Sequence, residues 1–91
     1  MSQIYYAEND GKKIILHTEK GVIVIYGTMQ SLAKRLDTSF FRSHRGYLVN
    51  MNHIVGYHRD SIRMDNGDSI FLSRDKYSDF VKTYMEFGGA Q

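Results

Sequence analysis

The chain has 91 residues, 42% of them hydrophobic and 24% charged, which is enough for one small domain and argues against a disordered chain. It contains no cysteine, so a disulfide framework, a thiolate zinc site and a cysteine nucleophile are all excluded. A formal net charge of +2 and a pI near 8.9 lean only weakly towards an anionic partner, so where the charges sit matters more than their sum.

No run approaches the ~18 apolar residues of a transmembrane helix, and the start Met1-Ser2-Gln3-Ile4 lacks the charged and apolar regions of a secretory signal. The expectation is a cytoplasmic protein with no membrane partner. Eight glycines and no proline suit many strands joined by tight turns. With no repeat, linker or composition shift, one domain is expected over 1–91, its core about 3–87.

Ile4 to Glu8 is short, aromatic and β-prone, and Asn9-Asp10-Gly11 supplies residues that tolerate positive φ, so a hairpin is expected to turn there. The return strand runs from Lys12 to Thr18. Glu19-Lys20-Gly21 makes a second turn, and the β-branched run Val22 to Tyr26 completes a meander. Met29, Leu32, Ala33 and Leu36 then recur at helical spacing, and Thr28 stands as an N-cap, which predicts a short helix over 29–36. Lys34 and Arg35 on its polar face read first as a solvated surface, with phosphate contact as the other option.

The stretch Phe40 to Ile54 interleaves cations, imidazoles, amides and aromatics more tightly than any other. Phe40 to Arg42 and Tyr47 to Asn50 read as strands bent around His44-Arg45-Gly46, and Ile54 to Tyr57 starts another strand. Arg59 to Met64 and Asp68 to Leu72 flank Asp65-Asn66-Gly67, the strongest hairpin signal in the chain. Ser73 as N-cap, Asp75 in the first turn and a stripe of Tyr77, Phe80, Val81, Tyr84 and Met85 predict a helix over 74–86. Gly88 and Gly89 should end it, leaving a frayed tail through Gln91. The fold class is therefore mainly β: elongated antiparallel sheets, built of a meander and hairpins, with one short internal helix and a C-terminal helix.

Enzyme readings find little support. His17, His44, His53 and His58 form no metal-binding unit, Ser43 beside His44 is mere adjacency, and no phosphate loop, nucleophile elbow or dinucleotide fingerprint occurs. Neither catalysis nor a metal or other cofactor is expected. Binding has more to explain, because three separate loops carry cations or amides: Lys12 and Lys13, then Arg42, His44, Arg45 and Asn50, then Arg74 and Lys76. Arginine suits bidentate contact with guanine or phosphate, lysine suits phosphate, and the amides opening the last helix would favour a phosphate too. Each has a plainer reading: Arg42 pairs with a carboxylate, His44 is a hydrogen-bonded turn histidine, and Asn50 caps a turn. Tyr47, Phe71, Phe80 and Tyr84 fall at apolar-periodic positions and read as core rather than base-stacking residues.

The pattern Phe40-x-Arg42-x-His44-Arg45-x-Tyr47-x-Val49-Asn50, with Ile54 following, closely resembles the central motif of the LytTR family of bacterial DNA-binding domains. The likeness extends through Ile4-x-Tyr6-x-Glu8, Gly11, His17-Thr18, Gly21, Thr28, Leu32 and Leu72-Ser73-Arg74, and so covers nearly the whole chain. It implies the output domain of a two-component response regulator that controls transcription, with loops rather than a recognition helix entering successive major grooves of double-stranded DNA. By position, Lys12 and Lys13 mark one such loop and Arg74 the other. His44 and Arg45 then lie between them, and Lys76 lies near phosphate. Two copies on direct repeats are implied, with a homodimer on DNA as one arrangement. A receiver domain is either elsewhere in the full-length protein or absent. Two departures stand out: the family usually has serine where Gly46 stands, and a further strand normally precedes the one at Ile4. The same loops and the open sheet could instead serve a protein-interaction or dimerisation module that does not bind DNA.

Overall fold

The computed structural model describes residues 3–88. Three antiparallel strands open the chain as the expected meander, β1 (Ile4–Asp10), β2 (Lys13–Thr18) and β3 (Gly21–Tyr26). The first turn falls one residue later than the sequence suggested, because Asn9 and Asp10 still pair with Ile14 and Lys13 and only Gly11, at φ 66°, takes the left-handed conformation. The helix α1 (Met29–Arg35) follows, its first turn closed by the Thr28 side chain accepting from the Ser31 amide at 3.0 Å. Met29 and Leu32 point inward, whereas Lys34 and Arg35 are exposed.

β4 (Phe40–His44) and β5 (Tyr47–Asn50) form the next hairpin. A 3-10 turn at Met51–His53 leads to β6 (Ile54–Tyr57), β7 (Ser61–Met64) and β8 (Ser69–Phe71). A second 3-10 turn, Arg74–Lys76, precedes α2 (Tyr77–Phe87). That helix starts three residues later than the position 74 expected from a Ser73 cap, at the first residue of the apolar stripe. Ser73 makes no side-chain cap; its amide donates instead to the Ser43 carbonyl at 2.8 Å, which holds this segment to β4 and delays helix entry. Gly88, at φ 95°, stops α2 as expected. The expectations for Gly89 and the tail through Gln91 lie outside the described residues.

The strands form two antiparallel sheets, one ordered β3-β2-β1-β5-β4 and the other β6-β7-β8. β1 therefore sits between its hairpin partner β2 and the distant β5, pairing Tyr6 with Val49 and Glu8 with Tyr47. Successive side chains of a strand face opposite ways, and β1 uses both faces. Ala7 joins Ile14, Leu16 and Leu48 under Met29 and Leu32 of α1. Tyr6 joins Val49 and the inward residues of the smaller sheet, together with Phe80 and Tyr84 of α2. The five-stranded sheet is thus a middle layer with α1 on one side and the small sheet plus α2 on the other. The Tyr6 hydroxyl donates to Asp68 at 2.9 Å across the two sheets. Burial, then that hydrogen bond and the nearby carboxylates, raise the phenol well above its ordinary pKa.

Two aromatic or apolar assignments from the sequence are overturned. Phe71 is 65% exposed and Met85 56% exposed. In β8 the strand period sends Ile70 inward, with Leu72 just beyond the strand also buried, and so turns Phe71 outward; on α2, Phe80 and Tyr84 fill the buried stripe and leave Met85 at its edge. Tyr47 packs against the core while remaining half-buried, and Phe80 and Tyr84 are core.

Candidate nucleic-acid interface

The β4–β5 bend is held by its own side chains. The Gly46 amide donates to Nδ1 of His44 at 3.1 Å, and the Arg42 guanidinium donates to the Arg45 carbonyl at 2.8 Å. An Nδ1 that accepts leaves the neutral ring's proton on Nε2. Arg42 has no carboxylate partner among the described residues, and its Nε is buried without a hydrogen bond. The plain reading of His44 as a turn histidine therefore holds, while that of Arg42 as half of an ion pair does not. Asn50 is a turn former: it is fully buried, its Oδ1 accepts from the Asn52 amide at 3.0 Å and its Nδ2 donates to the Ile4 carbonyl at 2.8 Å.

Two sets of hydrogen bonds fasten this bend to the other candidate loops. On one side the Asn9 amide donates to the Gly46 carbonyl at 2.8 Å, tying the β1–β2 hairpin and its turn at Lys12 to the bend. On the other side the buried Ser43 hydroxyl donates to the Phe71 carbonyl at 2.8 Å, and the Ser73 amide returns a bond of the same length to Ser43. This second pair of bonds fixes the start of the Arg74–Lys76 turn. Ser43 can serve both partners because β4 lies beside the end of β8, a neighbourhood set by tertiary packing rather than by sequence distance.

The cations line a row of shallow depressions. One, of about 500 Å³, runs from Gly11 and Lys12 to Arg42 and Arg45. A second, of about 730 Å³, is bounded by Asn9, Arg42, His44, Arg45, Tyr47 and Phe71. A third, of about 450 Å³, continues past Arg42 and Arg45 to Ser73 and Lys76. Arg42 and Arg45 are common to all three, so four of the six expected residues, Lys12, His44, Arg45 and Lys76, share one continuous face. Lys13 is exposed at the start of β2, opposite Asp10 and Tyr26. Arg74 opens onto a different depression of about 750 Å³, with His58, Arg59 and Asp60. The expected phosphate cradle at the helix entrance is changed as well: Arg74–Lys76 is a 3-10 turn, and Lys76 stands at the N-cap of α2.

Three further residues lie at these depressions outside the six expected from the sequence. Arg42 stands inside the motif, where the plainer reading expects a carboxylate pair that the fold does not make among the described residues; its alternation with His44 along one strand is the signal that places both at the bend. Phe71 forms an exposed aromatic rim with His44 and Tyr47, the ring centroids lying 5.9 to 6.1 Å apart. Arg59, which lies over the Tyr77 ring at 5.2 Å, had no local signal, since only the fold brings it beside Arg74. No group of three or more metal-ligating side chains occurs among the described residues.

Comparison with known proteins gives a consistent result. The model of the LytTr DNA-binding domain matches residues 1–85. The chain is also similar to a solved structure described as the LytTr DNA-binding domain of a methyl-accepting/DNA response regulator from Bacillus cereus, with 28% identity and a TM-score of 0.79, over 92% of this chain and 82% of that one. A comparison with curated proteins finds no match.

Proposed function

This chain belongs to the LytTR family of DNA-binding domains, which act in transcription regulation, and we propose that it reads duplex DNA by presenting two loops to successive major grooves. The turn at Lys12 enters one groove and the segment opened by Arg74 the other. His44 and Arg45 lie against the backbone between them, and Lys76 meets phosphate. Lys13 adds charge at the edge of the first loop. The observation that carries this reading is the double fastening of the β4–β5 bend, through Asn9 to Gly46 on one side and through Ser43 to Phe71 and Ser73 on the other. Loops fixed to one bend keep a set spacing, and a set spacing is what groove-by-groove reading requires. Size is compatible: the longest dimension is 34 Å, about the ~34 Å of one helical turn.

A domain this small offers few contacts, so two copies on a direct repeat supply the affinity of a regulatory site. Where the full-length protein carries a receiver domain, that domain supplies the signal. Titration of duplex DNA at two salt concentrations tests the reading. Binding that weakens steeply with salt on random duplex, with added affinity on a duplex selected from a random pool, is expected. No binding at low salt would leave the protein-interaction module instead.

A further inference from the structure

The least explained surface lies on the edge of the five-stranded sheet opposite β4. β3 is an outer strand of the five-stranded sheet, and apart from the half-buried Ile25 it is exposed: Val22 is 61% exposed, Ile23 50%, Val24 50% and Tyr26 80%. Among the described residues this edge lacks charge, proline and bulge. Gly21 to Tyr26 contains no charge and no proline, and its pairing with β2 runs from Thr18–Gly21 to Lys13–Tyr26 without a bulge. Outer strands of this kind pair with another strand.

The ladder tells which backbone groups are free. Thr18 and Gly21 close a two-residue turn, and the Gly27 amide donates to the Lys12 carbonyl. Bonded pairs alternate along an antiparallel ladder, so Gly21, Ile23, Ile25 and Gly27 bond inward to β2. Val22, Val24 and Tyr26 turn their N–H and C=O groups outward. Their side chains share the face of Ile15 and His17, at the end of the sheet beyond Tyr6.

We propose that this edge pairs antiparallel with β3 of a second copy of the chain, about a two-fold axis at Val24. In that register Val24 faces the partner's Val24, Val22 faces the partner's Tyr26, and Ile23 faces the partner's Ile25. About six new backbone hydrogen bonds form, two for each outward-facing pair. Ile15 and Val24 continue into the same residues of the partner as one apolar row, and on the opposite face Ile25 continues into the partner's Ile23. Glu19 and Lys20 fall beyond the paired segment, so no charge meets a like charge. The strand is thus complementary to itself in charge and in hydrophobic pattern, as an isologous interface requires, whereas an uncharged strand has nothing to offer a phosphate backbone. The pairing belongs to the free protein: its two-fold relates the basic faces in opposite senses, and copies on a direct repeat must separate.

Sedimentation and cross-linking test this together. The chain has no cysteine, so Val24→Cys introduces a single thiol, placed against itself at the ~5.5 Å Cα separation of a bonded pair, within disulfide range. The expected results are a dimer for the wild-type chain, rapid covalent dimerisation of Val24→Cys under mild oxidation, and a monomer for Val24→Lys, with a dissociation constant raised about tenfold or more. Circular dichroism of Val24→Lys should match the wild type. A wild-type chain that stays monomeric at high micromolar concentration overturns the proposal. So does a dimer that Val24→Lys leaves intact while Val24→Cys fails to cross-link, since another surface must then hold it.

Discussion

Arg74 and Lys76 lie two residues apart on one 3-10 turn and carry different work in the proposed complex. Arg74 faces outward with Arg59 nearby, and its planar fork suits a guanine edge. Replacing it by alanine is expected to cost about 1 to 3 kcal/mol on the selected site and almost nothing on random duplex or in denaturant unfolding. Equal loss on both duplexes would assign Arg74 to phosphate. Lys76, a point charge at the margin of the basic face, should when replaced by alanine weaken binding to every duplex alike and lower the salt slope by about one unit. An unchanged slope removes Lys76 from the interface. Gly46 bears on the same face from the other end. It does not adopt positive φ, and a Cβ there would meet only His44 Nδ1, at 3.6 Å. Gly46→Ser should therefore fold normally and, by supplying the hydroxyl usual in the family, tighten binding by about 0.5 to 1.5 kcal/mol. Lost stability would contradict the room for a side chain at this position, and unchanged affinity would show that the hydroxyl has no partner here.

At the level of elements, the bend between β4 and β5 acts through its neighbours as well as through its own cations. Ser43→Ala removes the donor to the Phe71 carbonyl and is expected to cost about 1 kcal/mol of folding stability. Because that bond sets where Arg74 begins, affinity for the selected site should fall further than affinity for random duplex; a stability loss with both affinities intact would contradict the coupling. Local signals in the sequence were strong wherever a single residue decides the geometry. Asn66-Gly67 announced its hairpin through a glycine at φ 96°, Thr28 its cap, and Gly88 its stop. Partnerships between distant segments were not legible. Nothing in Ile4 to Asp10 says that its second neighbour is β5, and nothing near Ser73 says that its amide is held by Ser43 rather than by a helix cap. The same gap explains Phe71, whose hydrophobicity was legible and whose outward face depends on which side of β8 the core lies.

The whole molecule divides its surface by chemistry. One face gathers Lys12, Arg42, His44, Arg45 and Lys76, while the far edge of the same five-stranded sheet is apolar. Three cationic loops were visible in the sequence as charges; that all three contribute to one continuous face, with Arg74 around its end, required the fold. The central claim is that the loops at Lys12 and Arg74, held at either end of this face, enter two major grooves at fixed spacing. Dimethyl sulfate protection, which reports guanine N7 in the major groove, tests it most directly on a duplex selected for tight binding. Two protected patches about one helical turn apart are expected, with Lys12→Ala losing one and Arg74→Ala the other. Protection confined to a single groove, or both patches lost together in either variant, would contradict it.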